Sequence, residues 1–378
     1  MGHKLLQKSG ILCLSFLLGI TMLMTGCGGR TDEQMQNAEN SSTTQASSDV
    51  ENVNLITPTS EIVELEDGFS AVRYDGDYGF DGFLAGGGAS SDGEVVEYLA
   101  NNLLSDLNLG DLLGGIFGCS TIAVQSPEGD ALFGRNFDWE NCEAMVVESH
   151  PENGYASLST VNMDFISQNV SGTLGIAMNL DDVKILAALY APLDGMNEAG
   201  LAVSVNMIQD SAAIEQNTDK PDITTTTAIR LLLDKAGNVE EALELLGQYD
   251  LHGSMGMMIH FAIADSTGRS VAVEYVDNEM IVTETPVLTN FYLAEGEKQG
   301  IGTEQSHERY DILMNHLEET TQMEMEDVRD ALDSVSKDNF GEFESTEWSI
   351  VMNLSTGEAR YYHRENYNQN YTFRLKSR

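Results

Sequence analysis

The chain has 378 residues, enough to bury a large core, and its 19 Lys and Arg against 61 Asp and Glu give a net charge of −42. A surface of that sign repels phosphate backbones and anionic headgroups, which excludes nucleic acid as a partner. Its seven histidines include no His-Glu-x-x-His pair and no close Cys/His cluster, and there is no spaced Asp/Asn/Gly calcium loop, so neither a metal nor another cofactor is expected.

In chain order, Lys4 and Lys8 precede the apolar run Ile11 to Leu23, and Met24-Thr25-Gly26-Cys27 closes it with small residues before a cysteine. This reads as a removable signal peptide over 1–26 rather than a retained membrane helix. Residues 27–54, rich in Asn, Gln, Ser and Thr, carry too few apolar groups to offset chain entropy and read as a flexible tether. Alternation in Glu61 to Leu65 and Phe69 to Tyr74 predicts one or two short strands, and Gly86 to Gly88 a turn. Ser91-Asp-Gly-Glu94 has the form of a capping box. With Val95, Val96, Leu99 and Leu103 at helical spacing it predicts a helix to about Leu107.

The most informative feature is Cys119, which opens a run containing Arg135 and ending at Asp138. Thr121 to Val124 and Leu132 to Phe137 read as strands joined by a turn over Pro127 to Asp130. Such a hairpin returns Arg135 and Asp138 beside Cys119, where a cation lowers a thiol pKa and prepares a nucleophile. Of four cysteines, Cys13 lies in the leader and Cys27 at its end. Only Cys119 and Cys142 remain for the body, so no disulfide framework is available; Cys142 reads as a small buried hydrophobe.

Further strands are expected at Ala144 to Glu148, Ala156 to Phe165, Ile185 to Tyr190 and Leu201 to Met207. Helices follow at Thr225 to Ala236 and Val239 to Tyr249, the second with Val239, Ala242, Leu243 and Leu246 on one face. Met257 to Asp265 and Ser270 to Tyr275 form a second hairpin, helices recur at about 306–318 and 325–335, and Trp348 to Leu354 and Ala359 to Arg364 close the chain as strands. Strands in runs followed by helices in runs argue for a layered α+β fold.

The run from Cys119 through Gly-Arg-Asn-Phe-Asp138 resembles the choloylglycine hydrolase and penicillin V acylase family of linear amide C-N hydrolases, whose relatives include acid ceramidase. Later stretches extend the resemblance: Asp194-Gly-Met-Asn-Glu-Ala-Gly-Leu201 with Asn206 on the strand that follows, Val287-Leu-Thr-Asn290, and Ser306-His-Glu-Arg309. The resemblance implies the four-layer αββα sandwich of N-terminal nucleophile hydrolases. It also implies catalytic roles for Cys119, Arg135, Asp138, Asn206, Asn290 and Arg309, with Cys119 as nucleophile, Asp138 at its free amine and Asn290 at the oxyanion.

In that family the cysteine is the first residue of the mature enzyme. Residues 55–118 then become a propeptide-like segment covering the site until a cut after Gly118, and 119–378 the catalytic domain. Mechanism asks for the same cut, because an α-amine of pKa near 8 can be a general base only if nothing precedes it. The Gly-rich approach Gly114 to Gly118 is compatible with it. The leader resembles a bacterial lipobox, implying lipid on Cys27 and an outward-facing lipoprotein whose membrane contact is the anchor alone. The expected partner is a small-molecule acyl amide. Against this stand a lipid-anchored binding protein that kept the fold without activity, and a papain-like Cys-His hydrolase, whose Cys-Gly-Ser-Cys-Trp signature is absent. His260, in an apolar run, reads as a satisfied core histidine; Trp139 reads equally as an acyl-pocket wall or as core.

Overall fold

The structure is a computed structural model that describes residues 54–103, 118–167, 180–338 and 344–375. The expected leader, the lipidation site Cys27, the tether, the end of the helix toward Leu107 and the Gly114 to Phe117 approach lie outside the described residues.

Two sheets carry the fold. The larger has nine strands in the order β1 (Val63–Glu66), β2 (Phe69–Asp75), β5 (Ala144–His150), β6 (Ser157–Asn162), β7 (Asp194–Asn197), β8 (Leu201–Ile208), β11 (Met258–Asp265), β12 (Ser270–Val276) and β13 (Glu279–Glu284). The smaller has six, in the order β14 (Val287–Leu288), β3 (Gly118–Gln125), β4 (Ala131–Trp139), β15 (Ser345–Asn353), β16 (Glu358–His363) and β17 (Tyr371–Arg374). All pairings in both are antiparallel except β2 with β5. Two short strands, β9 (Asp222–Thr224) and β10 (Asp250–His252), pair separately.

Alternation along β4 shows how the layers form, since successive side chains point to opposite faces. Arg135 faces the larger sheet, where it meets Asp194 and Asn206. Leu132 and Gly134 face outward onto the helix Met325–Asp333, within an apolar cluster that includes Ile122, Val328, Leu332 and Val351. Gly134 is required by that packing: a Cβ there would stand 2.7 Å from Val328 and 2.8 Å from Ile122. The helices Thr225–Lys235 and Val239–Leu246 cover the larger sheet. The order is therefore helix, sheet, sheet, helix, the expected four-layer αββα sandwich. Strands such as β4, β8 and β15 are buried along their whole length because both faces are covered.

Residues 54–98 are built into this sandwich. Strand β2 lies inside the larger sheet, parallel to β5. Phe69 stacks on His363 with ring centroids 5.0 Å apart, and the buried Tyr78 hydroxyl donates to Asp234 on the helix Thr225–Lys235. Ser91 caps the helix Asp92–Tyr98, its hydroxyl accepting from the Glu94 amide, and the chain continues as a π-helical turn over Leu99–Leu103.

Two expected strands are corrected. Ile185 to Tyr190 belongs to a helix, Asp181–Tyr190. Asp181 and Asp182 favour a helix N-terminus and Ala187 and Ala188 propagate it, whereas a short apolar run alone fits either period. The strand expected to reach Phe165 ends at Asn162, and Met163–Ser167 turns into a short helix, with the Asn162 side chain accepting from the Asp164 amide.

Candidate active site

Cys119 is the second residue of β3, pairs across to Phe137 on β4, and is fully buried. Its backbone nitrogen donates to Asn290 Oδ1 at 2.9 Å. Asn290 is held at both ends: its amide nitrogen Nδ2 donates to the Met207 carbonyl at 2.7 Å, and its backbone N–H donates to Ser306 Oγ at 2.6 Å. One hydrogen of Nδ2 is thus engaged and one remains.

Two arginines flank the cysteine. Arg309, on the helix Glu304–Glu319, donates to the Cys119 carbonyl at 3.2 Å, Ser120 Oγ at 2.7 Å, Asp138 Oδ2 at 2.8 Å and Asn290 Oδ1 at 2.7 Å. It locks together residues 19 to 190 positions away in sequence. Arg135, wholly buried, donates to Asp194 Oδ2 at 2.9 Å and Asn206 Oδ1 at 3.1 Å. Asn206 Nδ2 donates in turn to the Leu288 and Thr289 carbonyls, tying β8 to the stretch that carries Asn290.

All six residues singled out in the sequence therefore meet around the Cys119 end of β3. Asp138 faces Arg309 on one oxygen and Thr346 Oγ1, at 2.8 Å, on the other, with Lys337 Nζ 3.7 Å away. Burial pushes the Cys119 thiol up to about 11; Arg135 and Arg309 pull it down and Asp138 adds to the rise. Arg135 has its pKa raised: burial opposes the charge, but Cys119 in its thiolate form and the Asp194 carboxylate outweigh it. Cys142 is a second free, buried thiol, pushed well up by burial and by Glu347 although Arg364 beside it pulls the other way.

The chain belongs to the choloylglycine hydrolase family. The match, to the family described as linear amide C-N hydrolases, choloylglycine hydrolase family, spans residues 119–328, more than half of the chain, and begins at Cys119. A bile salt hydrolase/transferase of Clostridium perfringens (strain 13 / Type A) is 28% identical over 182 residues. That alignment covers 46% of this chain and 53% of the relative, so the chain spans about half the length of the curated relative it matches. Among solved structures, a mutant conjugated bile acid hydrolase from Clostridium perfringens superposes with a TM-score of 0.50 at 20% identity, over 68% of this chain and 92% of that one. Penicillin V acylase from Agrobacterium tumefaciens gives 0.47 at 17% identity, over 65% and 83%. The first of these likenesses shows the N-terminal nucleophile hydrolase fold.

Within this family site, several residues escaped the sequence reading. Asp194 is the buried partner of Arg135 and also accepts from Trp348 Nε1 at 3.0 Å. Its signal was the Asp-Gly-Met-Asn turn, which marked a strand entry and gave no hint of a charge pair. Ser306 entered only as the head of the Ser-His-Glu-Arg309 stretch, with no role of its own, and Thr346 and Lys337 had no local pattern at all. His260 is buried with Nδ1 3.1 Å from Glu274 and Nε2 2.9 Å from the Thr289 carbonyl, a satisfied core histidine that braces the Asn290 stretch. Burial opposes ionisation of Glu274, yet His260 and the Leu293 and Ala294 amides hold its pKa below the ordinary glutamate value. Trp139 packs edge-on to Phe165, ring centroids 4.8 Å apart. Among the described residues no group of His, Cys, Asp and Glu could hold a metal ion.

Proposed function

We propose that this chain is the precursor of a cysteine N-terminal nucleophile hydrolase that cleaves a linear, non-peptide amide through a thioester, after a cut between Gly118 and Cys119. The observation that carries the reading is the Cys119 nitrogen facing Asn290 Oδ1 between two arginines, at the residue where the family match begins. In the uncut chain that nitrogen is a peptide nitrogen and cannot act as a base. The cut itself proceeds by attack of Cys119 Sγ on the Gly118 carbonyl; the C–N bond breaks as the thiol proton passes to the departing nitrogen, which frees the amine, and water then hydrolyses the thioester to release the Gly118 carboxylate and the Cys119 thiol.

In the cut enzyme the α-amine takes the thiol proton and the thiolate attacks the substrate carbonyl carbon. The carbonyl electron pair moves to oxygen, stabilised by the remaining Asn290 Nδ2 hydrogen and a backbone N–H. The ammonium proton passes to the leaving nitrogen as the C–N bond breaks, and an acyl thioester forms. Water then attacks, the amine takes its proton, the C–S bond breaks and the acid leaves. Asp138, through Arg309, and Asn206, through Arg135, orient the amine and the thiol. The N-terminal residues fit export with lipid on Cys27, which would hold the enzyme on the outer face of the membrane.

The test is amine release from a panel of acyl amides by the purified protein, with Cys119→Ala as control. Turnover should fall at least about a thousandfold in the variant; a variant that keeps the parent rate would exclude Cys119 as nucleophile.

A further inference from the structure

One buried lysine faces the Asp138 carboxylate and has no step of its own in amide hydrolysis. Lys337 lies on the approach to β15, is 6% exposed, and reaches two acids: its Nζ is bonded to Glu344 and stands 3.7 Å from Asp138 Oδ2. Its backbone acts on the other oxygen of the same carboxylate. The Lys337 N–H donates to Thr346 Oγ1 at 2.9 Å, and the Thr346 hydroxyl donates to Asp138 Oδ1 at 2.8 Å. The Thr346 N–H donates back to the Lys337 carbonyl at 3.0 Å. Lys337 therefore bears on both oxygens of Asp138, on Oδ1 through a hydroxyl and on Oδ2 through a charge.

An ordinary ion pair does not explain this arrangement. A lysine is rarely buried unless its charge is compensated, and Glu344 alone would compensate it. The 3.7 Å to Asp138 is too long for a hydrogen bond but well within Coulomb range, and little solvent is there to screen it. Asp138 lies directly across the β3–β4 ladder from Gly118, the residue before the cut. It also opposes ionisation of the Cys119 thiol, which Arg135 and Arg309 favour. A charge that acts on Asp138 thus acts beside the end of β3 where the amine is set free.

Several charged groups surround this end of β3. Arg135 and Asp138 come from β4, Arg309 from the helix Glu304–Glu319, and Lys337 and Glu344 from the stretch before β15. Behind them stand Asp194, paired with Arg135, and the pair His260 and Glu274 on β11 and β12. Glu365 also faces Asp138; burial pushes its carboxyl up, and Asp338, Asp138 and Asp333 add to the rise.

We propose that Lys337 is a positioning residue of the hydrolase: it fixes the Asp138 carboxylate through Thr346 and adds one positive charge to the surroundings in which the freed Cys119 amine and thiol work. The proposal rests on the hydrolase reading for its catalytic half, whereas the charge felt at Cys119 can be read without turnover. A cation at this place disfavours a second one, so it keeps the amine unprotonated and able to accept the thiol proton near neutral pH; it favours the thiolate as well. Glu344 partly offsets it.

The experiment compares the parent with Lys337→Met, Lys337→Arg and Glu344→Gln, each expressed from the full chain. Two profiles against pH are recorded for each: kcat/KM for one acyl amide, and alkylation of Cys119 by iodoacetamide with Cys119→Ala as blank. Removing the ammonium should move the acid limb of both profiles to higher pH by about half a pH unit or more, because the protonated amine and thiol are then favoured. Lys337→Arg should keep the parent limb, and Glu344→Gln, which removes the offsetting charge, should move it to lower pH. A merely structural pair of Lys337 with Glu344 would lower the unfolding temperature and leave the limbs in place. Coinciding limbs in all four proteins would overturn the proposal and leave the hydrolase standing. Should Lys337→Met not fold, Glu344→Gln decides: a limb moved to lower pH sustains the proposal and an unmoved one overturns it. Alkylation limbs displaced as stated, in a parent that turns over no amide, would sustain the charge effect and remove the hydrolase reading.

Discussion

At the scale of single residues, the Cys119 thiol sits between opposing influences. Burial and Asp138 raise its pKa to about 11 from an ordinary 9.0, while two arginines limit the rise. At pH 8 the uncut chain should hold about a hundredfold less thiolate than an ordinary cysteine. Alkylation by iodoacetamide at that pH, with Cys119→Ala as blank, should accordingly be slow in the precursor and fast in cut protein; equal rates would contradict a dormant precursor thiol. Arg135 and Asp194 form a wholly buried pair. Replacing Asp194 by Asn leaves the guanidinium uncompensated and should cost about 3–5 kcal/mol in denaturant unfolding. Glu274 has its folded pKa below its unfolded value. Its contribution is therefore present above the ordinary glutamate range and lost as pH falls through and below it, so Glu274→Gln should flatten the acid limb of the stability profile. Of these residues, the hairpin partners Arg135 and Asp138 could be read from local spacing. Asn206, Asn290 and Arg309 were found only through family resemblance, because nothing local in the sequence reveals a bond spanning 171 or 190 positions.

At the scale of elements, the periodic segments were legible and the edges were not. Strands β3, β4, β8, β11 and β12 follow alternation and turn chemistry closely, as do the helices from Thr225 and Val239. The helix Asp181–Tyr190 was mistaken for a strand because its apolar end is short. Strand β13 was missed because it lies at a sheet edge and is half exposed, which erases the pattern that burial writes into a strand. The turn before the helix Asp92–Tyr98 depends on Gly88, whose φ of +73° is left-handed and whose Cβ, if present, would stand 1.8 Å from the Asp222 carbonyl oxygen. Gly88→Ala should lower stability by at least about 2 kcal/mol in thermal or denaturant unfolding.

At the scale of the whole molecule, the residues before Cys119 contribute two strands of the nine-stranded sheet, the Phe69 ring packed on Tyr361, His363 and Tyr371, and the buried Tyr78 contact to Asp234. Cutting one peptide bond removes none of these. The two fragments should co-elute on native size exclusion and separate only in denaturant, which would leave the active fragment attached to any anchor at Cys27; release of the smaller fragment under native conditions would contradict this. The central claim concerns the amine that the cut creates. Intact-mass measurement of the active preparation, paired with its amide turnover, tests it most directly. The account predicts a fragment beginning at Cys119 whose abundance tracks activity, and an uncut, inactive chain in Cys119→Ala; full activity from protein that retains the Gly118–Cys119 bond would contradict it.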